Sequence, residues 1–177
     1  MTTVAAEGNA RKGEMTLEEL SQCVLDIKSW FSRNGCDVES KGCASSADFQ
    51  RMQKAVGDVP EGITALLSES NGGLYFEDKA ALSGEEIISL IRDVESNENW
   101  NSYLFPFCGD TSGLIAINMK SGKVVEWDED DGSGDFLAET FNEYLENYRN
   151  ALLGGKFEFV PGVGAVEKVN RAGSSRK

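Results

Sequence analysis

Histidine is absent from this chain of 177 residues. With it go the commonest general base, the Ser-His and Cys-His nucleophile pairs and the commonest zinc ligand. Positive charge is scarce. Seventeen Lys and Arg stand against thirty Asp and Glu, a formal charge of -13. Such a chain should repel nucleic acid and anionic membrane surfaces and attract basic proteins. There are four cysteines, Cys23, Cys36, Cys43 and Cys108, and none forms a Cys-x-x-Cys pair. Cys23 lies on an apolar helical stripe and reads as a small buried hydrophobe. Cys36 and Cys43 are spaced for a disulfide if the protein is secreted. Met1 to Glu14 has no apolar signal core, however, and no Asn-x-Ser/Thr sequon occurs. No apolar run approaches the length needed to span a membrane. Neither Thr2 nor the Ser-Ser-Arg-Lys end fits a lipidation signal. The expectation is a cytoplasmic protein with reduced thiols.

Phosphate and nucleotide signatures are missing too. Gly155-Lys156 is followed by Phe157 and lacks the upstream Gly of a P-loop. Gly132-Ser133-Gly134 lacks the third Gly of a dinucleotide fingerprint and follows an acidic run that would repel a pyrophosphate. Carboxylates abound, but a glycosidase needs two set apart in a cleft with one desolvated. Asp128, Asp130, Gly132 and Glu139 fall at positions one, three, five and twelve of an EF-hand count. Ser133 stands where that loop wants Gly, and the loop follows a strand. The sequence therefore predicts no enzyme, no catalytic residue, no cofactor and no metal. An enzyme or a calcium-responsive protein is the reading of a different class.

What is present centres on Tyr103 to Asp131. Leu114-Ile115-Ala116-Ile117 is a short apolar run that suits a strand covered on both faces. Lys120-Ser121-Gly122-Lys123 carries the Gly of a tight hairpin, and Lys123 to Trp127 resumes extended structure. Before this hairpin, Thr16-Leu17-Glu18-Glu19 has capping-box spacing, and Leu17, Leu20, Val24, Ile27 and Phe31 form a helical stripe. Ser46 can cap a second helix bearing Phe49, Met52 and Val56. A third, with Pro60 in its first turn, buries Ile63, Leu66 and Leu67. Asn71-Gly72-Gly73 ends it, and Leu74 to Phe76 is a short strand. Ser83 opens a fourth helix. After the hairpin, Gly132 to Gly134 reads as a flexible joint and Asp135 as the cap of a last helix carrying Phe141, Tyr144, Leu145, Tyr148 and Leu152. Phe157 to Val160 alternates like an edge strand. Helices and strands interleave without a βαβ repeat. The prediction is α+β, with helices packed around one central, mostly antiparallel sheet. Residues 14–169 read as a single domain, between a disordered tail at 1–13 and a mobile basic tail at 170–177.

The candidate site is the end of that hairpin. Asp128, Glu129, Asp130 and Asp131 place like charges side by side, so they must face water or a cationic partner. Trp127 has two readings: packing at a strand end, or an aromatic anchor at an interface. The partner-binding residues expected are Trp127, Asp128, Glu129, Asp130 and Asp131, and the partner a protein with a basic surface.

The order of these motifs resembles a known family. Phe49-x-x-Met52-Gln53-x-x-Val56-Gly57 leads through Val59-Pro60-Glu61 and Leu66-Leu67 to Asn71-Gly72-Gly73. Phe105-Pro106-Phe107-x-Gly109-Asp110-x-x-Gly113 follows, then Val124-Val125-x-Trp127-Asp128, then Phe136-Leu137-Ala138-x-x-Phe141-x-x-Tyr144-Leu145. Over about Glu14 to Val160 this resembles the SUKH superfamily, the Smi/Knr family. Val59 departs from the usual Leu before Pro, and Gln53 from a frequent Glu. The resemblance implies helices around a central sheet, no catalysis, and a binding module. Fungal members are scaffolds in cell-wall integrity signalling, many bacterial members are immunity proteins that neutralise toxin nucleases, and others are subunits of eukaryotic complexes.

Overall fold

A computed structural model describes residues 15–169. The tails expected at 1–13 and 170–177 lie outside the described residues.

Local chemistry sets the helix starts. In α1 (Leu17–Arg33), Glu19 N donates to Thr16 Oγ1 at 3.2 Å and Thr16 N to Glu19 Oε2 at 2.8 Å. Leu20, Cys23, Val24, Ile27 and Phe31 are buried along one face, with Trp30 beside them. In α2 (Ser46–Val56) the cap is Ser45 rather than Ser46, because Asp48 stands three residues after Ser45 and closes the box. Pro60 immediately precedes α3 (Glu61–Glu69), not inside its first turn, and its carbonyl accepts from Ile63 N and Thr64 N. The fourth helix, α4 (Gly84–Val94), opens with Ser83 and Glu86 capping each other.

The strands are β1 (Tyr75–Phe76), β2 (Lys79–Ala80), β3 (Leu104–Gly109), β4 (Gly113–Asn118), β5 (Val124–Asp128), β6 (Gly132–Ala138), β7 (Phe157–Val160) and β8 (Gly164–Glu167). Strands β3-β4-β5-β6 form one antiparallel sheet in chain order. The pairs β1-β2 and β7-β8 are separate two-stranded ribbons. Leu114 to Ile117 are all buried, as the apolar run requires, and Ile117 stands between Phe105 and Val124. The fold is α+β.

Two local expectations are corrected. Gly132 to Ala138 is a strand, not a joint, and Asp135 caps nothing. The last helix, α5 (Phe141–Leu153), starts at Thr140, whose hydroxyl accepts from Glu143 N at 3.1 Å. Phe157 to Val160 is an edge strand, paired with β8 in a ribbon separate from the central sheet.

A single buried cluster runs from Leu20 in α1 to Ala165 in β8. On one side of the sheet, α5 brings Phe141 and Tyr144 edge-on to Phe107, with centroids 5.1 and 5.7 Å away. Behind α5 lies α1, with Arg149 3.7 Å from Asp26 across the pair. From the side of α2, α4 packs on β3. The Tyr148 hydroxyl donates to Tyr75 O at 2.9 Å and accepts from Glu77 N at 3.0 Å, which docks the β1-β2 ribbon on α5.

Candidate functional site

The acidic run forms the turn between β5 and β6, where Asp128 pairs with Gly132. Its shape is set by its first residue. Asp128 Oδ1 accepts from Asp130 N at 3.0 Å and from Asp131 N at 2.7 Å, an Asx-type turn closed by the side chain. Two asparagines of the α4–β3 loop hold the outside of the turn. Asn97 Nδ2 and Asn99 Nδ2 each donate to Glu129 O at 3.2 Å, and Asn99 Nδ2 also reaches Asp130 O at 2.9 Å. From the β3–β4 turn, Ser112 O accepts from Glu129 N at 3.2 Å. The backbone is thus fixed by neighbours, while the Glu129, Asp130 and Asp131 side chains stay exposed. Asp128 is partly buried because its carboxylate is engaged inside the turn.

The β3–β4 turn adds a carboxylate to this end of the sheet. Asp110 Oδ1 accepts from Ser112 Oγ at 2.6 Å, Ser112 N at 2.9 Å and Gly113 N at 3.2 Å. The Ser112 hydroxyl, then the Ser112 amide, hold the Asp110 carboxyl below the usual range. The opposite end of the sheet carries Lys120 and Lys123. Lys120 Nζ lies 3.7 Å from the centroid of Tyr103, and Lys123 Nζ lies 5.4 Å from that of Phe136. The sheet therefore has an acidic turn at one end and, at the other, Lys120 and a Lys123 that lies 3.9 Å from Glu139.

Trp127 does not belong to the exposed face. It is 1% exposed, its Nε1 donates to Asn99 O at 3.0 Å, and Trp100 meets it edge-on with centroids 5.3 Å apart. The expectation that Trp127 anchors a partner is corrected: the ring is covered on the side of the loop that would have to open. Its packing reading holds, and it fixes Asn99. The EF-hand count fails for a different reason. Gly132 pairs with Asp128 at one end of β6, whereas Ala138, the residue before Glu139, pairs with Val124 at the other. A whole strand separates Glu139 from the aspartates, and Glu139 Oε2 instead lies 3.9 Å from Lys123 Nζ. Among the described residues, no three acidic or cysteine side chains are grouped to hold a metal.

Other singled-out residues fall in structural places. Asn71 Oδ1 accepts from Gly84 N at 2.9 Å and Asn71 N donates to Gly42 O at 2.9 Å, so the Asn71-Gly72-Gly73 turn joins the end of α3 to the start of α4. All four cysteines are free thiols. Cys36 Sγ faces Gly73 O and Cys43 Sγ faces Glu69 O, so the disulfide between them is not formed. Burial pushes Cys23 up to about 11 and Cys108 further still.

Sequence reasoning missed Asn97, Asn99, Asp110 and Ser112, the residues that shape the acidic end. The signal was present in the Asn-x-Asn-x-Asn spacing of residues 97–101 and in Asp110-Thr111-Ser112-Gly113, a side-chain-closed turn pattern.

Fold and site together define an α+β protein whose central sheet ends in a rigid, solvent-facing acidic turn. The model of the SMI1 / KNR4 family (SUKH-1) matches residues 43–147, from before α2 into α5, and the chain belongs to that family. The matched stretch contains the whole central sheet and the acidic turn, and leaves out α1 and the β7-β8 ribbon. No curated protein matches the chain. Among the described residues, no helix is long and apolar enough to cross a membrane.

Proposed function

We propose that this protein is a non-enzymatic interaction module of the Smi/Knr type, a scaffold or regulatory subunit. It binds a partner protein with a basic surface through the acidic end of its sheet. Glu129, Asp130 and Asp131 supply the steering charge, and Asp128 holds the turn in shape. Neither nucleic acid nor a membrane is the target, and the working compartment is the cytoplasm. The observation that carries this reading is the fixing of the acidic turn by Asn97, Asn99 and Ser112 while its carboxylates stay in water. A preformed turn loses little conformational freedom on binding, and clustered like charge gains most from a cationic partner. Membership of the family supports a binding role.

The test takes a partner captured from the source cells and identified. Association kinetics are then compared for the wild type and for the variant Asp128→Asn, Glu129→Gln, Asp130→Asn, Asp131→Asn. The variant should associate more slowly at low salt, and the difference should fade at high salt. Equal association rates at low salt refute the reading.

A second reading is an immunity protein that neutralises a toxin nuclease. It draws on the same family and on the same exposed carboxylates, which fit the cationic surface with which a nuclease grips phosphate. Inhibition of a basic nuclease at one-to-one ratio, lost in the neutralised variant, would select it.

A further inference from the structure

The central sheet has two edges, and they differ. The β3 edge is covered: Ala81 bridges Cys108, Leu82 N donates to Phe107 O at 3.0 Å, and Pro106 has no amide to offer. The β6 edge has no strand on its outer side among the described residues. Ser133, Gly134, Asp135 and Phe136 are exposed in succession, and Phe136 is 52% exposed. Strand β6 is also longer than its partner. Val125 and Trp127 face Phe136 and Ser133, so β6 spends an extra residue against β5 there, and another between Phe136 and Ala138. Bulges of this kind turn backbone groups away from the paired strand.

We infer that the β6 edge takes up an extended, Lys/Arg-rich segment of the partner protein as an added strand of the sheet. Resting on the binding role proposed above, this assigns the form of the bound segment. The occupant follows from charge. The acidic turn stands at one end of β6, Asp135 in its middle and Glu139 just beyond the other end. A second copy laid along the same edge would bring one chain of net charge -13 against another, which disfavours self-pairing. A basic segment meets opposite charge at the acidic turn and at Asp135, while Lys123, over Phe136 and 3.9 Å from Glu139, stands at the far end of the strand. Its backbone bonds to the free edge, and one apolar side chain can rest on Phe136.

The probe is a capped peptide of alternating Lys and Val. Its control has the same sequence with alternate backbone amides N-methylated, so that charge and side chains persist but pairing is blocked. Amide hydrogen exchange and chemical shifts of the full chain are followed during titration. The alternating peptide should slow exchange in residues 133–137 by about tenfold, a change worth some 1.4 kcal/mol of protection. The N-methylated peptide should not. Phe136→Lys, at an exposed position, should abolish the protection while leaving the melting temperature in place. If both peptides act alike and shift only residues 128–131, the strand-addition inference falls and the acidic-turn reading stands. If neither peptide perturbs β6 or the turn, both fall. Protection that survives in the Phe136→Lys variant, or appears elsewhere in the fold, also overturns the inference.

Discussion

The indole Nε1 of Trp127 donates to the main-chain carbonyl of Asn99 at 3.0 Å, and through this bond the core sets the position of the acidic turn. Asn99 uses its backbone to receive the core residue and its side chain to hold the carbonyls of Glu129 and Asp130. The two tryptophans below it, Trp100 and Trp127, lock the loop in place. An exposed, highly charged turn is thereby given the rigidity of a buried one.

Asn99→Ala should loosen the turn without opening the core. The Trp127 bond goes to a backbone carbonyl and survives the substitution. The lost side-chain bonds are exposed, so the cost should be about 1 kcal/mol. Amide exchange at Asp130 and Asp131 should quicken, and their resonances should broaden or shift. Unchanged exchange in the turn would show that Asp128 alone maintains it.

Trp127 itself should behave as a core residue. Trp127→Ala should cost about 3–5 kcal/mol. Trp127→Phe keeps most of the ring volume but leaves the Asn99 carbonyl without its donor, for about 1–3 kcal/mol. Chemical denaturation measures both. Near-wild-type stability for either variant would mean that the indole spends its time outside the core.

Why some of this was legible follows from pattern. The helical stripes of α1, α4 and α5 repeat every three or four residues and lie where the repeat indicates, except that Leu17, at the start of α1, is exposed. The β4–β5 hairpin combined an apolar run with a turn Gly. Strand β6 gave no such signal. Its middle is exposed on both sides, so no alternation exists to read, and Gly-Ser-Gly-Asp imitates a joint. That error also moved the α5 cap from Thr140 to Asp135. Strand β3 was hidden by Pro106, tolerated because β3 is an edge with a register shift between Pro106 and Cys108. In the site, the four acids were visible as charge, but apart from the Asp128 carboxylate what fixes them comes from residues more than ten positions away in the chain. Trp127 was misassigned because adjacency to a charged run says nothing of which way a ring faces.

Gly109→Ala should be severely destabilising. Gly109 has φ +103, which L side chains rarely adopt, and an added Cβ would run into Gly113 O and lie 2.6 Å from Leu114 Cα. Both neighbours are backbone and cannot rotate aside. A loss on the order of 3 kcal/mol is expected. Thermal and urea melts should agree on it. A shift of only a degree in melting temperature would mean that the β3–β4 turn is not as tight as described.

Asp110 gives the fold a pH dependence whose sign is fixed by its hydrogen bonds. The Ser112 hydroxyl and amide, with the Gly113 amide, favour its charged form, so its folded pKa lies below the unfolded value of about 3.9. Between the two values the unfolded chain binds more protons than the folded one, and stability rises with pH. The contribution is complete above the unfolded value and disappears as pH falls through the folded one. Asp110→Asn keeps an oxygen acceptor but not the charge, and should melt below wild type at pH 6. The gap should close as the pH approaches 2. One effect opposes this: removing a carboxylate near Asp128–Asp131 relieves repulsion. At about 1 M salt the screening length is only about 3 Å, so that relief is suppressed while the hydrogen bonds, in direct contact, persist. The melting series is therefore run at high salt, with Ser112→Ala as a second variant that removes the hydroxyl and leaves the charge. Both variants should lose the wild type's extra stability at neutral pH and converge on it in acid. A gap that stays constant from pH 6 to pH 2 would show that Asp110 shapes the turn without any charge-dependent share in its stability.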